Sequence, residues 1–252
     1  MSNRDIQNTM AVFKREFLAY FNSPVFYVIV VIFLLAAMGF PFLFSRILES
    51  DDVNLTERFF VWHPWIYTVL APAVGMRLWS EEHRLGTIEL LLTMPVSPWH
   101  AILGKFFAAA AVWLAGLVLT FPIVWTVCYL GEPDMGPIIS GYIASYLYAL
   151  SCLSLTCAVS AITRSQVVCF ISSVFVCLVI ALIGDPGFTQ LIVSSVPGWA
   201  EWLVHVVSYF SFMDHFYELT KGIFVTHDVL YFVSVIIVTL IFTHEVLRAK
   251  RA

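Results

Sequence analysis

Met76-Arg-Leu-Trp-Ser-Glu-Glu-His-Arg-Leu-Gly-Thr-Ile-Glu-Leu-Leu-Leu-Thr-Met-Pro-Val-Ser97 lies between the second and third long apolar runs of this chain. Nowhere else do charged side chains crowd together beside an apolar run on the side richest in Lys and Arg. Leu85, Ile88, Leu91 and Leu92 recur at helical steps and give the stretch one apolar face, while Glu81, Glu82, Arg84 and Glu89 leave another polar. The spacing predicts a helix that continues past Arg77 out of the preceding apolar run and breaks or bends at Gly86. Met94-Pro-Val-Ser-Pro98 then reads as a turn, with Ser97 at an N-cap and Pro98 at the first helical position of the next run.

Outward from that stretch the chain is apolar. Of its 252 residues 60% are apolar and only 12% charged, against about a quarter charged in a soluble domain. The mean hydropathy is +0.89. About 20 apolar residues suffice to cross a bilayer core as a helix, and six runs qualify, at 24–44, 60–79, 103–130, 138–162, 166–184 and 229–247. They are apolar on every face, which excludes the alternation of a membrane β-barrel. The predicted fold is an all-α polytopic membrane protein of six transmembrane helices, a single domain over 1–252 with no internal repeat.

Lys and Arg set the orientation. With both termini on one side, that side holds ten of the thirteen, among them Lys14, Arg15, Arg77, Arg84, Lys105, Arg164, Arg248 and Lys250; the other holds Arg46, Arg58 and Lys221. The bias predicts cytoplasmic termini. The acidic residues lean the other way, so the net charge of −4 divides into +4 inside and −8 outside. Nothing in that pattern indicates nucleic acid.

Residues 5–22 read as an interfacial amphipathic helix, with Ile6, Met10, Phe13, Phe17 and Tyr20/Phe21 on one face toward the lipid bilayer. Ser23 could cap the first span ahead of Pro24. No cleavable signal is expected. Pro72 and Gly75 predict a kink or local unwinding in the second span. Gly104, Ala108, Ala111 and Ala115 present a small-residue face for close helix approach. Ser145, Ser151, Ser154, Thr156 and Ser160 suit interhelical hydrogen bonds or a substrate-lining surface. Residues 185–228 lie outside yet are rich in aromatics, which suggests short re-entrant helices before span 6, with Asp228 as a cap for that span. All five cysteines fall in or at the ends of spans, as small packing residues.

Several chemistries are missing. There is no phosphate-binding Gly-x-x-x-x-Gly-Lys motif, no Gly-x-Ser-x-Gly elbow and no His-Glu-x-x-His. No metal-ligand spacing stands out; His215, flanked by Asp214 and Glu218, is the nearest approach. No acid or base occupies the middle of an apolar run, which argues against a proton-coupled pathway. If the chain is a transporter, its energy must arrive from a partner.

Arg77-Leu-Trp-Ser-Glu-Glu-His-Arg-Leu-Gly-Thr-Ile-Glu-Leu-Leu-Leu-Thr-Met-Pro-Val-Ser97, followed by Ile102-Leu-Gly-Lys105, resembles the coupling region of ABC-2 type permeases. Asp214-His-Phe-x-x-Leu-Thr-Lys-Gly-Ile223 with Asp228-Val-Leu-Tyr-Phe232 is similar to permeases of the gliding-motility type (GldF-like) and to the copper-maturation permease of nitrous oxide reductase. The resemblance implies a non-catalytic permease subunit of an ATP-driven exporter in the bacterial inner membrane. It would work with a separate cytoplasmic ATPase subunit that binds ATP and Mg, and with a second permease copy or a related permease. It places Glu81, Glu82, Arg84, Gly86, Thr87 and Glu89 in or beside the coupling helix. No cofactor or metal of its own is implied. Two alternatives stay open: a force-transmitting or assembly subunit with no substrate, and a lipid-modifying membrane enzyme built on Asp214, His215 and Glu218.

Overall fold

The computed structural model describes residues 3–44, 55–88, 97–131, 133–195, 210–222 and 226–250, and among them there is no strand. The helices are α1 (Asn3–Phe21), α2 (Pro24–Leu43), α3 (Leu55–Arg58), α4 (His63–Gly75), α5 (Arg77–Leu85), α6 (Pro98–Val118), α7 (Pro122–Leu130), α8 (Met135–Ile162), α9 (Gln166–Ile183), α10 (Pro186–Ser195), α11 (Phe212–Thr220) and α12 (Thr226–Ala249). A 3₁₀ turn, Phe60–Trp62, leads into α4. Among the described residues five helical stretches are long and apolar enough to cross a membrane: α2, the α6–α7 pair, α8, α9 and α12. The chain is therefore a polytopic all-α membrane protein.

The second apolar run departs from one straight span. It is built from the 3₁₀ turn, the 13-residue α4 and the charged α5. The break falls at Met76, just beyond the Pro72 and Gly75 that predicted a disturbance. Its cause is a side chain from another helix. The Ser160 hydroxyl on α8 accepts from the backbone N–H groups of both Trp79 and Ser80, at 3.0 Å each. A hydroxyl inserted into the i→i−4 ladder bends a helix. Gly75 makes the approach achievable: a Cβ there would lie 2.7 Å from Thr156 Cγ2.

Helix α8 is the axis on which α4, α5, α6, α9, α11 and α12 all pack. Its hydroxyls are satisfied within the bundle, as buried polar groups must be. Ser151, Ser154 and Thr156 donate to carbonyls of α8 itself, those of Leu147, Ser151 and Cys152. Ser145 bonds His63 on α4 at 2.7 Å. Around them runs an aromatic core. The Phe33 ring stacks on Tyr67 and meets Trp113 edge-on at 5.4 Å. Tyr148 meets both Phe212 and Phe216 at 5.7 Å. Such pairs contribute about 0.5–1.5 kcal/mol each beyond area burial.

The predicted third span is α6 and α7, bent at Leu119–Phe121 ahead of Pro122. Thr120 Oγ1 donates to the Leu117 carbonyl and lies 3.1 Å from the Tyr142 hydroxyl of α8, so the bend is fastened to the axis. An apolar groove of about 310 Å³ opens beside it, lined by residues that include Val118, Phe121 and Tyr146.

In the segment before α12, α10 and α11 are described and residues 196–209, with Pro197, Trp199 and Trp202, lie outside the described residues. Helix α11 buries Phe212, Met213, Phe216 and Leu219, against α8, α9 and α12. Asp228 does not cap α12. The helix begins at Thr226, so the carboxylate sits inside the first turn and is buried.

Helix α1 docks along α6, but not through its aromatic stripe. Val12 and the Thr9 carbonyl press on Gly104, where a Cβ would come within 2.8 Å of Val12. Ile6, Met10 and Phe21 stay exposed on the neighbouring face. Ser23 occupies the N-cap position of α2 without capping it by its side chain, because the hydroxyl accepts from Arg77 instead.

Two glycines should respond oppositely to alanine. Gly75→Ala overpacks the α4–α8 contact and should cost about 1–3 kcal/mol, read as a lower melting temperature in detergent. Gly39 on α2 has nothing within 4 Å, so Gly39→Ala should be neutral or stabilising.

Candidate functional site

The charged stretch folds as a helix because its own side chains support it. Arg77 pairs with Glu81 one turn on at 2.9 Å, and Arg84 reaches Glu81 at 3.9 Å. The helix stops at Gly86, whose φ of +70° is the left-handed conformation that a side chain disfavours. Its inner face, Leu78, Trp79 and Ser80, is buried. Trp79 Nε1–H donates to Cys157 Sγ at 3.3 Å.

Beneath α5 lies a buried ammonium. Lys105 on α6 is 3% exposed, donates to Glu16 of α1 at 3.2 Å, and pairs with Glu82 of α5 at 2.9 Å. Its Nζ stands 5.4 Å over the Trp79 ring, a cation–π distance. Arg15 adds a second cation, 2.6 Å from Glu16 and 3.8 Å from Glu82. Burial opposes the Glu16 charge, but Lys105 and Arg15 outweigh it and hold this carboxyl below its usual range. One lysine thus ties α1, α5 and α6 together.

The other flank of α5 is tied to the ends of α8 and α12. His83 Nε2 lies 3.0 Å from the Ala161 carbonyl and 3.2 Å from Lys250 Nζ, and that ammonium donates to the same carbonyl at 2.7 Å. A single ring nitrogen cannot both donate to one and accept from the other. The acceptor role requires a neutral imidazole, and burial with the Lys250 charge pushes the His83 pKa down.

The six residues of the predicted coupling helix therefore divide. Glu82 turns inward to Lys105, and Glu81 is occupied by Arg77. Arg84, Gly86 and Thr87 are exposed and, with Leu85, form the tip. Glu89 lies outside the described residues, as do Leu91 and Leu92. The second group, Ser145, Ser151, Ser154 and Thr156, is fully buried along α8. Lys105 and Glu16 carry the geometry without having been singled out, whereas Ser160 makes the interhelical hydrogen bonds expected of the hydroxyls on this helix. Gly-Lys downstream of the charged stretch was the available signal for Lys105.

His215 is buried and pairs with Asp228 at 2.6 Å, at the opposite end of α8 from Lys105, and its charge also acts on Asp214.

The family profile described as ABC-2 family transporter protein matches residues 10–247. No curated protein matches the chain.

Lys105→Met should leave the mostly buried Glu16 and Glu82 with Arg15 but without their ammonium and cost up to about 3–5 kcal/mol, read by thermal unfolding in detergent. The triple change Lys105→Met, Glu16→Gln, Glu82→Gln should recover most of that loss, because the carboxylates then need no counter-charge. For His83 the folded pKa is depressed, so its contribution to stability is full above the usual histidine value and fades as the pH falls through the depressed one. His83→Gln should flatten the fall in melting temperature between about pH 7 and 5.

Proposed function

The chain belongs to the ABC-2 family of transporter proteins and is a membrane permease of an ABC transporter; from that premise we propose that it is the permease subunit of an ATP-driven exporter, worked by a separate cytoplasmic ATPase. The observation that carries the proposal is the attachment of α5. A charged helix at the basic end is keyed to α1, α6, α8 and α12 by ion pairs and backbone contacts, yet leaves Arg84, Leu85, Gly86 and Thr87 exposed. A tip so held passes a push to several spans at once.

In this reading Arg84, Gly86 and Thr87 touch the ATPase, with Glu89 beyond them. Glu81 and Glu82 fix the helix to the bundle. ATP and Mg bind the partner, whose closure drives α5 against α8. The motion reaches the far side through α4 and α8, a packed pair suited to two discrete arrangements. Ser145, Ser151, Ser154 and Thr156 serve helix packing. Two permeases assemble, as like or related copies, in a bacterial inner membrane with both termini cytoplasmic, as the Lys and Arg distribution supports. The segments Asp214–Ile223 and Asp228–Phe232 support the gliding-motility subgroup.

The test is co-purification with an ATPase and the stimulation of its ATP hydrolysis in lipid. Arg84→Glu and Gly86→Pro should fold and insert but lower the stimulation to the rate of the ATPase alone. Glu82→Lys should fail earlier, at assembly, by setting a second cation against Lys105. Normal stimulation by both tip variants would remove α5 as the coupling element.

A further inference from the structure

At the end of the bundle away from Lys105, three donor atoms converge. Asp228 Oδ1, in the first turn of α12, lies 2.6 Å from His215 Nδ1 and 2.9 Å from His227 Nδ1. One donor from each residue can be chosen so that all lie within 4.8 Å of one another. We propose that His215, His227 and Asp228 form a site for a divalent transition cation of the zinc class, bridging α11 to the start of α12.

Donor chemistry sets the class. Two imidazole nitrogens and one carboxylate suit Zn²⁺ and its neighbours, whereas Ca²⁺ and Mg²⁺ require mainly oxygen. Three protein ligands with a remaining position for water is the coordination that zinc accepts. The observed separations are hydrogen-bond lengths. Around a zinc ion with bonds of about 2.0–2.2 Å the donors sit roughly 3–4 Å apart, so each carboxylate–imidazole pair has to open by roughly 1 Å while the donors already lie within 4.8 Å of one another. Each imidazole must present a proton-free Nδ1, its ring proton moving to Nε2.

Position supports the assignment. Asp228 and His215 have side chains only 2% and 5% exposed, while His227 is 51% exposed. Two ligands are thus fixed by packing and the third gives the ion an entrance. The His215 ring is held by stacking on Tyr231 at 3.9 Å. Asp214 on α11 adds a negative charge that acts on His215, which raises the local concentration of cations; Glu218 is paired with Lys221 at 2.5 Å. A bound ion would fasten α11 to α12 across the residues that join them.

The experiment is titration of the full-length, detergent-purified and metal-stripped protein with ZnCl₂, by calorimetry and by melting temperature. One Zn²⁺ per chain should bind and raise the melting temperature by several degrees. His227→Ala removes a half-exposed ligand and leaves the buried pair intact. It should fold, melt near the wild-type temperature without metal, and bind Zn²⁺ at least about tenfold more weakly. MgCl₂ should give no shift. No saturable Zn²⁺ binding by the wild type would overturn the proposal and leave a hydrogen-bonded latch. Equal binding by His227→Ala would overturn it as well, since the ion would then sit elsewhere.

Discussion

A backbone amide in a bilayer must find an acceptor inside the protein, and the Ser160 hydroxyl supplies one for two amides at once, those of Trp79 and Ser80. The second apolar run can therefore change direction inside the bundle without leaving donors bare. An unmet buried donor costs about 1–3 kcal/mol, so a bend here without that hydroxyl would be severely penalised. The direction in which α5 leaves the bundle is consequently set by a side chain of α8. Gly75 against Thr156 brings the two backbones close enough for the hydroxyl to reach.

The ion pairs around Lys105 then fix what the bend has aimed. Burying an ammonium is expensive, and the attraction of Glu16 and Glu82 offsets rather than exceeds that cost. Three apolar side chains would hold α1, α5 and α6 together about as well. What the charges add is direction, since Lys105 has to meet a carboxylate from each of two helices at 2.9–3.2 Å. His83 and Lys250 fasten the opposite flank to the ends of α8 and α12. A helix held on both sides moves with the bundle or not at all.

The spans were legible because a bilayer imposes length and apolarity on each one separately, and Pro24, Pro98 and Gly86 mark helix limits through local backbone chemistry. The charged helix was legible for the same reason, from charge and period. Which way its carboxylates turn was not. Glu82 looks like Glu81 in the sequence, and only the position of Lys105, 23 residues on, distinguishes them. The aromatic stripe of α1 is real, but the docking surface beside it is a matter of shape, set by Gly104 against Val12. Asp228 looked like a cap because an acid near a helix start usually is one. Its actual partner, His215, lies on another helix.

The helix on which every neighbour leans is also the one that lipid holds least firmly. Its mean hydropathy is 1.5, against 2.6 for α2, 2.2 for α6–α7, 2.7 for α9 and 2.1 for α12. The hydroxyls that organise the folded bundle are the reason, since they lower the gain from partitioning this segment alone. In chain order the α6–α7 pair precedes the central helix and α9 follows it directly, so a chain made from its N-terminus offers the serine-rich axis a greasier neighbour on either side.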